Sequence, residues 1–337
     1  MRPAIDSRSH PLGLCLLGLA ASLAALSLLG PLVAGAIHWR IRPTILSQLY
    51  GLDAVSLVIV APLAAVAGVL SLRGLALGAL LGVGPAAYAV YMVPQYVLGP
   101  DYAHLAGDNE RWFPLVLVLF ALGVVSAALA WSRLATYEPP GSRRVEALVG
   151  RRLLPAVAAV VFVRYVPTLA DWMSARPTAP DYLAGPNFSW AIALSDLGVA
   201  LPATAAVCIG VRHAAGWARR GLYALTGWFA LVGAAVAGMA IAMQLRGDPA
   251  MSLPQMALLT VLGAVLVALA VVLYAPLLRA RVGRAAGRTT APEEPVETAG
   301  IEPASAIAPK VVSTSVAGAL GLVSRSPRRR GCSRPAS

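Results

Sequence analysis

The sequence predicts an all-α protein, a polytopic transmembrane helix bundle of about eight spans with its N-terminus and C-terminus in the cytoplasm. Three observations predict this class: an apolar composition, eight separate apolar runs, and basic residues that gather in alternate connections. Of the 337 residues 58% are hydrophobic and only 12% are charged, whereas soluble domains carry about 25% charged residues. Lipid is therefore the predicted surroundings of most of the chain.

The formal charge of +12 does not indicate a nucleic-acid partner. Nucleic-acid binding needs basic residues gathered on one polar surface, and here they are scattered between apolar runs. Nearly all of them are arginine, Lys310 being the only lysine, and this usage suggests a GC-rich bacterial genome.

Eight apolar runs are long enough to cross a bilayer, which takes about 20 helical residues. They cover residues 12–36, 54–70, 74–98, 113–131, 153–171, 190–211, 221–244 and 256–278. The second and third runs meet across Ser71, Leu72 and Arg73, which predicts a tight antiparallel hairpin. The first run could instead be a signal peptide, since Ala34, Gly35 and Ala36 resemble a cleavage site. Its length favours a retained helix.

The positions of the basic residues predict the orientation, because arginine and lysine resist translocation. Only five of them fall in the predicted outer loops: Arg40, Arg42, Arg111, Arg176 and Arg246. The connection 132–152 alone holds five arginines on the opposite side. Both termini are therefore predicted to be cytoplasmic, with the bundle in a plasma (inner) membrane.

Two segments differ in composition, and they predict two units. Residues 1–282 form the helical bundle, and residues 283–337, rich in Ala, Pro, Ser, Thr and Arg, have the composition of a disordered cytoplasmic tail. Arg328, Arg329 and Arg330 could bind anionic lipid headgroups at the cytoplasmic face, or they could be a solvated charge run.

Two ionisable side chains fall deep within predicted spans. Arg164 lies in the fifth run and Asp196 in the sixth. Charged groups in a bilayer cost at least about 2.5 kcal/mol each, so they usually face the bundle interior and have partners. The two runs are consecutive and antiparallel, and they place both residues at similar depth. We expect an ion pair, either as a structural link between the helices or as part of a functional site.

Further polar residues lie in the same predicted outer half. Asp171 and Thr168 share a helical face with Arg164, while Tyr88, Tyr91 and Gln95 form one stripe on the third span. Asp53 opens the second predicted span, where it could cap the helix or face the same cavity. The candidate polar pocket consists of Arg164, Asp196, Asp171, Tyr88, Tyr91, Gln95 and Asp53.

No recognised catalytic motif appears, and neither His nor Cys residues have metal-ligand spacing. No cofactor or metal is predicted, and an enzymatic activity is the least favoured class. Prolines at 31, 62, 85, 94, 155, 167 and 202 fall within the predicted spans, where each removes a backbone donor and can kink a helix. Residues 100–107 echo residues 180–185, through duplication or coincidence.

Several segments resemble a family of bacterial multi-span membrane proteins that has no assigned biochemical role. They are the stretch from Gln48 to Asp53, the turn from Ser71 to Gly74, the stripe from Tyr88 to Tyr96 and the stretch from Ser195 to Gly198. The resemblance implies the architecture of the helical body and brings no catalytic residues.

The leading hypothesis is a membrane protein whose outward-facing pocket binds a small polar ligand or ion for transport or sensing. Mixed charges at one depth suit a zwitterion or a carboxylate-bearing ligand. The alternative is a structural or accessory subunit of a membrane complex, in which Arg164 and Asp196 only hold helices together.

Overall fold

A computed structural model describes residues 9–135, 137–139 and 141–289 of the chain. Eight of its helices are long and apolar enough to cross a membrane. They are α1 (His10–Leu29), α2 (Pro43–Leu72), α3 (Ala76–Leu98), α4 (Asn109–Leu134), α5 (Arg143–Trp172), α6 (Pro186–Arg212), α7 (Gly216–Leu245) and α8 (Leu253–Leu277). No β-strand occurs in the part of the chain that the structure describes. The prediction of eight apolar helices is confirmed.

The main differences from the predicted spans lie at helix ends. Helix α2 begins at Pro43 rather than at residue 54, because the polar residues Ser47 and Gln48 form its first turns instead of a loop. Helix α5 begins at Arg143 rather than at residue 153. In contrast, α1 ends at Leu29, so residues 30–36 of the first predicted span lie outside it.

The predicted tail begins at residue 283, and the backbone of its first residues is helical. The helix that contains α8 continues to Thr289. Residues 290–337, including Arg328, Arg329 and Arg330, lie outside the described residues.

Wide π-helical turns interrupt three of the helices, each two residues before a proline. They cover Ser56–Val60 in α2, Val149–Leu153 in α5 and Asp196–Ala200 in α6, and the prolines are Pro62, Pro155 and Pro202. A proline ring clashes with the carbonyl four residues earlier and lacks an N–H. A wider turn relieves that clash, and the next N–H bonds five residues back, as from Leu201 to Asp196. Such turns often occur at functional sites.

A structural repeat relates the two halves of the bundle at an offset of 140 residues. The π turns Ser56–Val60 and Asp196–Ala200 correspond at this offset. So do the helical segments Ala61–Leu72 and Leu201–Arg212 that follow them. The backbone hydrogen bonds of the next turn also match: Leu75 to Leu70 corresponds to Ala215 to Gly210.

The repeat predicts equivalent packing in helices α1 to α4 and α5 to α8. In both halves consecutive helices pack on one another in order. The first half closes because α1 also packs against α4, burying Leu12, Leu16 and Leu19. In the second half α5 contacts α8 through its first turns, and its side chains Val160 and Val163 are exposed.

The similarity between residues 100–107 and 180–185 does not follow this repeat. Residues 100–107 connect α3 to α4, whereas residues 180–185 connect α5 to α6. These connections are not equivalent at an offset of 140, so the echo is not part of the structural duplication.

Glycine residues set the closest helix contacts. A Cβ atom at Gly51 in α2 would overlap the backbone carbonyl of Gly238 in α7, and one at Gly263 in α8 would overlap the carbonyl of Gly233 in α7. Small residues allow the backbones to approach this closely. The resulting van der Waals packing stabilises the helix pair, because no hydrophobic effect drives helices together in lipid. Helix α7 thereby packs against both α2 and α8 at glycine contacts.

Replacing Gly51 by Ala tests the contact between the two halves. The added methyl group forces α2 away from α7, and overpacking of this kind costs about 1 to 3 kcal/mol. We expect a lower midpoint of thermal unfolding in detergent. The matched control is Gly216→Ala, since a Cβ there meets nothing within 4 Å. Equal midpoints for the two variants would contradict the close contact.

Candidate functional site

The connections between the helices lie at two opposite ends of the bundle. The end that carries connections 30–42, 99–108, 173–185 and 246–252 is called the His38 end. The opposite end, with turns 73–75 and 213–215, is called the Arg73 end.

Asp196 lies within the bundle as the acceptor of two tyrosine hydroxyls. Its Oδ1 accepts a hydrogen bond of 2.7 Å from Tyr91 of α3, and its Oδ2 accepts one of 2.6 Å from Tyr165 of α5. Asp196 follows the start of α6 at Pro186 by ten residues, about 15 Å at the helical rise. Three helices therefore meet at one carboxylate, at the first residue of a π turn.

The predicted ion pair between Arg164 and Asp196 is not formed. Within the described residues no ion pair of 4 Å or less joins them, and the side chain of Arg164 is exposed. Adjacent helical residues point about 100° apart, so the helix that turns Tyr165 toward Asp196 turns Arg164 outward. The sequence correctly predicted that this part of α5 lies at the level of Asp196. It predicted the wrong side chain, because Tyr165 and not its neighbour Arg164 faces the carboxylate.

Three other predicted pocket residues lie in separate polar contacts on α2 and α3. Tyr88 is 1% exposed, and its hydroxyl is 2.9 Å from that of Ser56. Gln95 donates from Nε2 to the Tyr91 carbonyl at 3.3 Å. Asp53 is 2% exposed, lies beside the Tyr96 hydroxyl, and has a buried Oδ2 with no hydrogen-bond partner in the described chain.

Asp53 does not cap a helix. It lies near the end of the segment Pro43–Val55, because α2 starts ten residues earlier than predicted. Of the two sequence alternatives, capping is therefore wrong, and Asp53 is an interior carboxyl group.

Asp171 stabilises a connection. Its carboxylate accepts hydrogen bonds from the hydroxyl and backbone N–H of Thr178, the shortest at 2.7 Å, and from the N–H of Ala179. Thr168 donates to the carbonyl of Arg164 on its own helix. The structure thus brings Asp196 and Tyr91 together, and it places Asp171, Tyr88 and Asp53 in other contacts.

The connections at the His38 end are held together by Arg40. Its guanidinium makes two hydrogen bonds to Glu110, at 3.1 and 2.7 Å, and one of 2.7 Å to the carbonyl of Leu105. The hydrogen bond to Glu110 raises the pKa of Arg40 above its usual value. Nearby, the hydrogen bond from the His104 ring lowers the pKa of Asp101. These contacts join connection 30–42 to connection 99–108.

A cavity of about 240 Å³ lies at the His38 end, between these connections and the start of α6. Its charged lining includes Arg40, Arg42 and Asp101. Below it Phe188 of α6 packs on Gly99, where a Cβ would lie 2.5 Å from the ring. Phe188 precedes Asp196 by eight residues and Gly99 follows Tyr91 by eight, about 12 Å along each helix. The cavity therefore lies about 12 Å along the helices from the level of the Asp196 carboxylate.

A second buried charge cluster lies at the Arg73 end. Glu146 is 4% exposed; it accepts hydrogen bonds from Arg219 at 2.5 and 2.8 Å and from the Tyr223 hydroxyl at 2.8 Å. Tyr274 of α8 donates to the carbonyl of Tyr223. The sequence analysis missed this cluster, because Glu146 and Arg219 lie in segments that looked like cytoplasmic loops. Their positions just before apolar runs were the available signal.

No family model, no curated protein and no solved structure matches this chain. The resemblance to a bacterial membrane-protein family therefore stays a prediction. Among the described residues, no group of three or more His, Cys, Asp or Glu side chains could hold a metal ion.

Replacing Tyr91 by Phe tests the contact at Asp196. The variant removes one of the two donors to a carboxylate inside the bundle, and a hydrogen bond to a charged group is worth about 1.5 to 3 kcal/mol. We expect a lower midpoint of thermal unfolding in detergent. In the control, Tyr182→Phe, the lost hydroxyl accepts only an exposed hydrogen bond from Trp190. The contact is refuted if Tyr91→Phe is no less stable than the control.

Replacing Glu146 by Gln tests the cluster at the Arg73 end. Removing one partner of a buried ion pair costs about 3 kcal/mol or more, because the other charge stays buried. Glu110→Gln is the matched control: it breaks a similar pair with Arg40, but the Glu110 side chain is 50% exposed. We expect a larger drop in unfolding midpoint for Glu146→Gln than for Glu110→Gln. Only the drop caused by Glu110→Gln should become smaller as the salt concentration rises, because salt screens exposed charges. Equal drops would argue against a buried pair.

Proposed function

We propose that this chain is a plasma-membrane protein that binds a small zwitterionic ligand at Asp196, for transport or sensing. The cavity at the His38 end is the proposed entrance. The arginine distribution supports an orientation with this end outside and both termini in the cytoplasm.

The observation that carries the proposal is the Asp196 carboxylate itself. An ionisable residue at this depth is expensive, and it usually marks a ligand, ion or proton pathway. Both carboxylate oxygens accept hydrogen bonds from neutral phenols, and no basic side chain pairs with Asp196 in the described chain. The site thus offers carboxylate oxygens to the ammonium group of a ligand, and no basic side chain of the described chain competes for them.

In this proposal the guanidinium of Arg164, which is turned away from Asp196 in this structure, swings toward the bound ligand and supplies the opposite charge. Arg164 precedes Tyr165, a donor to Asp196, and its own guanidinium has no ion-pair partner among the described residues. A carboxylate is the group that a guanidinium binds best, through two parallel hydrogen bonds. Together, Asp196 and Arg164 favour a ligand with one ammonium group and one carboxylate.

The cavity at the His38 end, which lies at the start of α6, supports the same proposal. The cavity at the His38 end carries both signs of charge, from Arg40, Arg42 and Asp101. Phe188 packs on Gly99 at this cavity, about 12 Å along α6 from Asp196.

The exposed face of α5 favours a second candidate, an accessory subunit of a membrane complex. Arg164 lies on this helix with the exposed apolar side chains Val160, Val163 and Val166. A partner helix with one acidic residue would cover the face and pair with Arg164.

A thermal-shift screen of the purified protein separates the two candidates. The probes are amino acids and betaines, each compared with the corresponding amine and carboxylic acid at equal concentration. We expect a zwitterion to raise the unfolding midpoint, because ligands that bind only the folded state stabilise it. The Asp196→Asn and Arg164→Gln variants should each lose this shift.

The control for the screen is Asp171→Asn, which removes a carboxylate that holds connection 173–185. This variant should keep the ligand-induced shift. If no zwitterion stabilises the wild-type protein, the ligand proposal fails and the accessory-subunit candidate is favoured.

A further inference from the structure

A separate cavity of about 310 Å³ lies at the His38 end, between α3, α4 and connection 30–42. Aromatic side chains dominate its lining: Trp39, Tyr96, Tyr102 and Phe113. None of the proposed ligand-binding residues, Asp196, Tyr91, Tyr165 or Arg164, lines it. Its volume lies within the range of small-molecule sites, about 300 to 1,000 Å³.

The aromatic rings are held in place by contacts with their surroundings. The rings of Trp39 and Tyr96 pack with centroids 5.1 Å apart. Tyr102 donates from its hydroxyl to the Val97 carbonyl at 3.1 Å and accepts from the Asn109 amide at 3.3 Å. A cage of fixed rings binds with little loss of side-chain freedom.

The charged group at the rim of the cavity is a carboxylate that is paired with Arg40. Glu110 is the only charged side chain that lines the cavity. Behind Tyr96 lies the carboxyl group of Asp53, whose Oδ2 is buried without a hydrogen-bond partner in the described chain. Arg40, which pairs with Glu110, is not among the lining residues but lines the neighbouring cavity. Aromatic faces and a carboxylate at the rim both attract a cation.

We propose that this cavity is a binding site for an organic cation with a quaternary ammonium group. The methyl groups of such a cation contact the faces of Trp39, Tyr96, Tyr102 and Phe113, and its charge lies near Glu110. The headgroup of a choline lipid and free choline share this chemistry. The site is independent of the proposed function at Asp196.

The test compares choline with 3,3-dimethylbutan-1-ol, a neutral molecule of the same shape, by calorimetric titration of the full-length protein in maltoside micelles. We expect choline to bind and the neutral molecule not to bind. Whether the site also takes the headgroup of a choline lipid is tested by competition against choline. The competitors are dihexanoylphosphatidylcholine and, as the control without choline, dihexanoylphosphatidylglycerol. Competition by the choline lipid alone supports the site and assigns the headgroup as a ligand.

Variants of the half-exposed rings connect the binding to the cavity. Phe113 and Tyr102 are 47% and 46% exposed, so Phe113→Leu and Tyr102→Leu keep the fold while removing an aromatic face. Each should weaken choline binding about three- to tenfold, the effect of one lost cation–π contact. Tyr102→Phe keeps the ring but loses the two hydrogen bonds that fix it, so it should weaken choline binding less than Tyr102→Leu does. Glu110→Gln should weaken choline binding as well.

Three results would overturn the proposal: absence of choline binding, equal binding of the neutral molecule, or unchanged choline binding in both leucine variants. Asp196→Asn should leave choline binding unchanged. Phe113→Leu should likewise leave any zwitterion-induced thermal shift unchanged. Failure at one site is therefore distinguishable from failure at the other.

Discussion

The close packing of α2 on α7 at Gly51 and Gly238 is the contact on which the rest of the bundle depends. Apolar side chains are as stable in lipid as in a helix interface, so no hydrophobic effect drives helices together there. Close approach of the backbones stabilises the interface through dispersion energy instead. Helix α7 also packs against α3, α6 and α8. Because α2 belongs to the first four helices and α7 to the last four, this contact joins the two halves.

Two of the three π turns that precede a proline in the described chain begin at a polar residue. Pro62 and Pro202 each follow a π turn by two residues, and the turns begin at Ser56 and Asp196. These equivalent positions bind different partners: Ser56 contacts Tyr88 of its own half, whereas Asp196 contacts Tyr91 of the other half. One structural element, repeated at an offset of 140 residues, thus supports a neutral contact in one half and a charged contact in the other.

The ionised groups are distributed over three levels of the bundle. The Arg40–Glu110 pair joins connection 30–42 to the start of α4 at the His38 end, the Asp196 carboxylate lies within the helices, and the Glu146–Arg219 pair lies at the Arg73 end. The two ion pairs are bidentate and link elements far apart in sequence, which is a positioning role. Asp196 instead accepts hydrogen bonds from two tyrosines and has no cationic partner in the described chain, which distinguishes it from the two ion pairs.

The sequence by itself determined the number of helices long and apolar enough to cross a membrane, and the similar depth of the segments that carry Arg164 and Asp196. Both follow from properties that add along one helix: apolar length, a rise of about 1.5 Å per residue, and the cost of a charge in lipid. It also placed Tyr91 and Asp196 in one candidate pocket, and the structure brings these two residues into contact. Only the tertiary structure decided that Tyr165 rather than Arg164 faces Asp196, and that Asp53 is interior. It also showed that Glu146 meets Arg219. These contacts depend on how each helix is rotated about its axis and on partners more than 30 residues away. The π turns change that rotation locally, so the spacing of residues along one helix does not predict the contacts.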